Sequence, residues 1–112
     1  VAAEFVAGPG GVAVPWLDAV AGRPWVLHVG SCIPRKRVDV LLDVVAELRR
    51  GGPALVLVKV GGEWAADHRA RIERHGLGAA IVHRVGLSRA ELAEVYRRAP
   101  AVLVTSDAEG FG

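Results

Sequence analysis

Two short stretches of the 112-residue chain carry most of its chemical capacity. Gly30-Ser31-Cys32-Ile33-Pro34-Arg35-Lys36-Arg37 sets three consecutive cations just ahead of an apolar, helically periodic segment. Cations at a helix N-terminus oppose the macrodipole, which favours negative charge there. An anion held by these cations and by the N–H groups of the first turn would resolve the conflict. A solvated basic loop would accommodate the same run. Neither GxxxxGK[ST] nor GxGxxG occurs, so the P-loop and dinucleotide readings are poorer. The second stretch is Glu109-Gly110-Phe111-Gly112. Two glycines around an aromatic let a backbone approach a ligand closely, and a carboxylate accepts hydrogen bonds from hydroxyls. A glycine-rich turn with a solvated glutamate is the plainer alternative.

Other polar residues carry less. Trp64, after Gly61-Gly62-Glu63, either stacks on a ligand ring or covers the sheet edge. His28, His68, His75 and His83 lack metal-ligand spacing, so no metal site is expected. Cys32 reads as a small loop residue, since no Cys–His arrangement accompanies it. Lys59 stands inside an apolar strand, where it either snorkels at the strand end or reaches the ligand.

The elements that would position these groups alternate. WVLHVG (25–30), ALVLVKVG (54–61), IVHRVG (81–86) and AVLVTS (101–106) read as strands, the first three closed by glycine. Between the first two, Val38, Leu41, Leu42, Val45 and Leu48 recur at helical spacing, and Arg49, Arg50 and Gly51 end the helix. Residues 66–76 form a more polar helix, with Asp67 placed to pair with Arg71. Ser88 to Glu91 is a capping box opening a helix expected to bury Leu92, Val95, Tyr96 and Ala99 before Pro100. The order βαβαβαβ predicts an α/β fold: a Rossmann-like parallel sheet with flanking helices and right-handed crossovers. Ligands of such sheets bind outside the carboxyl ends of the strands. Residues 1–24, rich in Gly and Pro without periodicity, read as a linker with at most a short strand or turn, ahead of the domain at 25–112.

Composition bounds the classes. With 52% apolar and 23% charged residues the chain can build a core. A net charge of +2 falls short of a nucleic-acid footprint. One cysteine excludes an intrachain disulfide and fits a reducing compartment. No apolar run approaches the roughly 20 residues of a membrane helix. Residue 1 is Val and no positive n-region follows, so the chain reads as a cytoplasmic piece of something longer.

Four segments, HVGSCIPRKRVDVLL, LVKVGGEW, VHRVGLSRAELAEVYRRA and VLVTSDAEGFG, resemble in collinear order the C-terminal domain of the group 1 retaining GT-B glycosyltransferases. The resemblance covers roughly residues 25–112. It implies one half of a GT-B architecture and a nucleotide-diphosphate sugar donor, with no cofactor or metal. By resemblance Lys36 holds the donor diphosphate and Glu109 is the first glutamate of the E-x7-E motif, the two catalytic assignments. Gly30 lets the first loop pass close to the phosphates, and Gly110, Phe111 and Gly112 line the sugar and phosphate through their amides. Arg84 and Val85 match the wall near the nucleobase.

The chain also departs from that pattern. Many members carry Arg where this chain has Ser31; either Arg35 compensates or the diphosphate is held differently. The sequence ends three residues after Glu109, before the second glutamate. The resemblance therefore implies a glycosyltransferase parent, membrane-peripheral at most, whose acceptor (glycan, lipid or small molecule) is bound mainly by an N-terminal domain outside this sequence. The piece alone is expected to be inactive. The alternatives are a non-catalytic α/β binding module and a nucleotide-sugar epimerase of GT-B form.

Overall fold

A computed structural model of the chain describes residues 13–20, 22–33, 36–52 and 54–105. The elements, in order, are α1 (Pro15–Asp18), β1 (Trp25–Val29), α2 (Val38–Arg50), β2 (Val56–Val60), α3 (Ala66–Arg74), a 3-10 turn (Gly78–Ala80), β3 (Ile81–Arg84) and α4 (Arg89–Arg98). The strands form a parallel sheet in the order β1-β2-β3. Trp25 to Val29 align with Val56 to Val60, and Leu57 to Val60 align with Ile81 to Arg84. The sheet is parallel and flanked by helices, as the alternation of elements requires.

Burial explains why the strands read as unbroken apolar runs. All five residues of the central strand β2 are buried, and so are the first four of β1. Side chains alternate between faces, so each strand feeds two cores. On one face Val26 and Leu57 pack under Val38, Leu41, Leu42 and Val45 of α2. On the other, Trp25, Leu27, Val56, Val58 and Val60 meet Val95 of α4. Val14, Leu17 and Val20 join this second core, with α1 inside the stretch read from sequence as linker. Asp18 of α1 accepts a hydrogen bond from Arg98 of α4 at 2.9 Å.

Four expectations need correction. Leu48 is 48% exposed, whereas Ala46 is buried: the buried arc of α2 closes on the other side, leaving Leu48 on its rim. Tyr96 is 46% exposed; only Val95 of that helix is wholly enclosed, with Leu92 and Ala99 partly covered. Arg71 donates to both carboxylate oxygens of Asp43 on α2, at 3.0 and 2.9 Å, rather than serving Asp67. His75 also binds Asp43, at 2.9 Å, and these two partners hold its carboxyl below the usual carboxylate range. A tertiary clasp between α2 and α3 thus takes the place of the local pair.

The fourth correction concerns the run at 101–106. Among the described residues it makes one parallel bridge, Leu27 to Val102, on the outer side of β1. The Leu27 N–H donates to Ala101 O at 2.9 Å, and the Leu103 N–H donates to Leu27 O at 2.8 Å. Val102 and Val104 are 44% and 72% exposed. One rung is too little ladder for a strand, so among the described residues the sheet has three strands and a bridged fourth segment.

The Ser88 capping box forms in full: Glu91 N–H donates to Ser88 Oγ at 3.1 Å, and Ser88 N–H to Glu91 Oε1 at 2.8 Å. Leu41→Ala should cost about 2–5 kcal/mol in urea unfolding, because the side chain is enclosed in a packed core. Leu48→Ala should stay within about 0.5 kcal/mol. Equal losses at the two positions would contradict the corrected buried face.

Candidate functional site

The carboxyl ends of β1 and β2 are held together by a buried ammonium. Lys59 is fully buried, and its Nζ donates to the carbonyl of Gly30, to Gly61 O at 2.9 Å and to Val60 O at 3.5 Å. Burial pushes its pKa below the usual lysine value. Of the two sequence alternatives, the side chain takes the first in part: it runs to the strand end, but into the interior.

Lys59 belongs to a rung across the sheet. His28 aligns with Lys59, and Lys59 with His83. Adjacent strands lie about 4.8 Å apart, so three basic side chains share one face just below the loops. His83 Nε2 lies 3.2 Å from Gly61 O and 3.0 Å from Gly62 O; carbonyls only accept, so Nε2 carries the proton. Trp64 covers His83, with ring centroids 4.9 Å apart, and meets His68 edge-on at 6.2 Å. Trp64 therefore packs at the sheet edge, as the plainer reading of the sequence has it.

These interactions press the first two loops together. Gly61 and Gly62 adopt φ of +96° and +76°, which disfavour any side chain. A Cβ at Gly61 would lie 3.0 Å from Gly30 O. At Gly62 it would lie 2.8 Å from both Cys32 N and Cys32 Sγ. The turn after β2 is thus the floor on which the Gly30–Cys32 loop rests. Burial raises the pKa of the Cys32 thiol, with Lys59 opposing, so no activated thiolate stands here.

Lys36 closes the loop. Its N–H donates to Ile33 O at 2.9 Å, and its carbonyl accepts from Thr105 Oγ1 at 2.8 Å, joining the loop to the bridged segment. Its side chain folds back over β1, with Cε 3.8 Å from where a Gly30 Cβ would stand. Together with His28, Val29, Tyr96 and Val102 to Val104 it lines a cavity of about 200 Å³. His28 is buried, its Nδ1 has no hydrogen-bond partner, and its pKa drops to about 4 through burial and the charges of Lys59 and Lys36. Arg37 pairs with Asp39, Nε to Oδ1 at 3.1 Å, so one of the three cations answers an acid in the first turn of α2.

The residues expected to form a site divide as follows. Gly30, Ser31 and Lys36 share the first loop, at the carboxyl end of β1. Arg84 ends β3, two strands away; its carbonyl accepts from Gly61 N–H at 2.8 Å and its guanidinium lies 5.4 Å from the Trp16 ring centroid. Val85 follows it and is 60% exposed. Arg35, Glu109, Gly110, Phe111 and Gly112 lie outside the described residues. No cluster of metal-ligating side chains occurs among the described residues, and no described helix is long and apolar enough to cross a membrane. The sequence did hold a sign of the rung: His28-Val29-Gly30 and Lys59-Val60-Gly61 each place a base two residues before the glycine that ends a strand.

Comparison with known proteins places the chain in a group. The family pattern described as "Glycosyl transferases group 1" matches residues 17–112. Over 92 residues the chain is 36% identical to the D-inositol 3-phosphate glycosyltransferase of Segniliparus rotundus, covering 78% of this chain and 20% of that protein. Over 99 residues it is 34% identical to the serotype-specific mannosyltransferase WbdA of Escherichia coli, covering 86% of this chain and 12% of that protein. Among solved structures, S. aureus TarM in complex with fondaparinux, alpha-GlcNAc-glycerol and UDP superposes with a TM-score of 0.68 at 21% identity, over 80% of this chain and 18% of TarM. The apo form of the lipopolysaccharide outer core galactosyltransferase WaaB gives 0.61 at 24% identity, over 81% of this chain and 26% of WaaB. At those identities the structural likeness is one of fold, the Rossmann-like part of a GT-B architecture. The chain spans at most 26% of the length of any of these four proteins.

The His28 environment has a measurable consequence. Its folded pKa of about 4 lies below the ordinary 6.5, so between these values the unfolded chain binds a proton that the folded chain refuses. Stability should fall by up to about 3 kcal/mol as pH drops from 6.5 towards 4. Urea unfolding of His28→Phe across this range should lose most of that slope. An unchanged slope would assign it to other groups.

Proposed function

This chain belongs to the group 1 glycosyl transferases, and on that premise we propose that it forms part of the donor site of an enzyme transferring a sugar from a nucleoside diphosphate with retention. The observation that carries the reading is the fold of Lys36 back over Gly30 at the carboxyl end of β1. Parallel sheets of this kind take their ligands at that end. Cleavage of the sugar–phosphate bond leaves negative charge on the departing diphosphate. A fixed ammonium beside that diphosphate lowers the barrier without any proton transfer. In this reading Lys36 takes that task, with no metal or cofactor required.

The remaining assignments are those the family resemblance implies. Gly30 keeps the loop low enough for phosphates to approach, the Ser31 hydroxyl and Arg35 contribute donors, and the exposed Arg84 and Val85 wall the nucleobase. Glu109 receives hydrogen bonds from sugar hydroxyls, and the amides of Gly110, Phe111 and Gly112 line sugar and phosphate. The acceptor is bound mainly by a domain outside this sequence, and the piece alone does not turn over. The reading carries a cytoplasmic site of action with it, where nucleotide sugars are drawn upon. The family match and the two glycosyltransferase relatives above 30% identity support glycosyl transfer over a non-catalytic module or an epimerase.

Calorimetric titration of the chain with UDP, GDP and ADP tests the reading. One diphosphate should bind weakly, and Lys36→Ala should weaken it by about tenfold or more, the loss of a charge-assisted contact. Binding that survives the substitution would remove Lys36 from the site.

A further inference from the structure

Lys59 enters no step of the reaction just described, yet it is the most completely enclosed charged side chain among the described residues. Burying an ammonium is costly unless it is paired or fully hydrogen-bonded. All three of its recorded partners are backbone carbonyls: Gly30, Val60 and Gly61. Two of these belong to the glycines that end β1 and β2. Carbonyl oxygens are the negative ends of peptide dipoles, and at a strand end they repel an approaching phosphate. Lys59 draws two of them inward.

The geometry of the peptide unit extends this. Gly30 C=O and Ser31 N–H belong to one planar trans peptide, so they point in opposite directions. With Gly30 O fixed on the buried ammonium, the Ser31 N–H is directed away from Lys59, to the opposite side of the loop. The same holds for Gly61 C=O and Gly62 N–H. The loop cannot relax downward, because Cys32 already rests against Gly62.

We propose that Lys59 is a positioning residue of the anion site: by holding the Gly30 and Gly61 carbonyls from within, it fixes the Gly30–Ser31 peptide so that its N–H faces the bound diphosphate, and so sets the loop that presents Lys36. This inference rests on the donor-site reading, and it adds to it a residue that does not touch the ligand. Lysine suits the task because one compact ammonium can serve several carbonyls at once.

The test compares Lys59→Met, which keeps length and removes charge, with Val58→Ala, a cavity one residue away on the opposite face. Both variants weaken the sheet, but only the first releases the loop. Nitrogen-15 NMR titration with UDP, GDP, ADP and inorganic pyrophosphate follows the Ser31 amide, and thermal melts verify folding. In the wild-type chain the Ser31 amide should shift on titration. In Lys59→Met that shift should vanish and affinity should fall by about tenfold, while Val58→Ala retains both. Wild-type affinity and an intact Ser31 shift in Lys59→Met would overturn the proposal, and so would equal losses in the two variants. If the wild-type chain takes up none of the four ligands, the donor-site reading fails instead. Hydrogen exchange without ligand then decides the role of Lys59. Faster exchange from Ser31 to Lys36 in Lys59→Met alone supports it, and unchanged protection overturns it. Should Lys59→Met fail to fold, the same comparison is made with Lys59→Arg, which keeps the charge but cannot place a single nitrogen among the carbonyls.

Discussion

A single buried charge hydrogen-bonded to backbone carbonyls fixes how the carboxyl end of this sheet is built. A buried ammonium must collect hydrogen bonds from whatever it can reach, and Lys59 reaches the last peptides of β1 and β2. Those carbonyls are thereby turned towards each other, which brings the two following loops into contact. Contact at that distance leaves no room for a side chain at Gly61 or Gly62. The shape of the Gly30–Cys32 loop and the glycine placement at 61 and 62 therefore share one electrostatic cause. His83, bound to the carbonyls of Gly61 and Gly62, supports the same turn from the neighbouring strand.

Much of this fold was legible in the sequence because its elements announce themselves locally. The apolar periodicity of α2, the Ser88 capping box and the strand-ending glycines need no tertiary information, and the structure has all of them. The failures share a different origin. Leu48 and Tyr96 are apolar residues at plausible spacings, but their exposure depends on where the neighbouring layer ends. The run at 101–105 has strand composition, yet among the described residues it gains only one bridge, because composition does not say how far a segment stays in register with its neighbour. Arg71 preferred a carboxylate on another helix, a choice that sequence separation of 28 residues conceals.

The candidate site divides along the same line. Charge placement singles out the stretch 30–37, the family resemblance is what assigns roles to Gly30 and Lys36 within it, and Gly30, Ser31 and Lys36 share one strand end. Arg84 ends β3 and Val85 follows it, across the central strand from them, so a ligand reaching both must lie across the carboxyl edge of the sheet. The supporting basic rung was harder to read. A lysine amid valines looks anomalous in sequence, and only the register that aligns it with His28 and His83 gives it a context.

The packing of Cys32 against Gly62 bears on how this surface can change over evolutionary time. Gly62 cannot accept a side chain while the Gly30–Cys32 loop stays as it is, because the gap between the loops is already closed. Effects of substitutions in such direct contact are not additive. A side chain at position 62 would therefore have to arrive with a matching change in the first loop, so positions 32 and 62, thirty residues apart in the chain, are coupled through this contact.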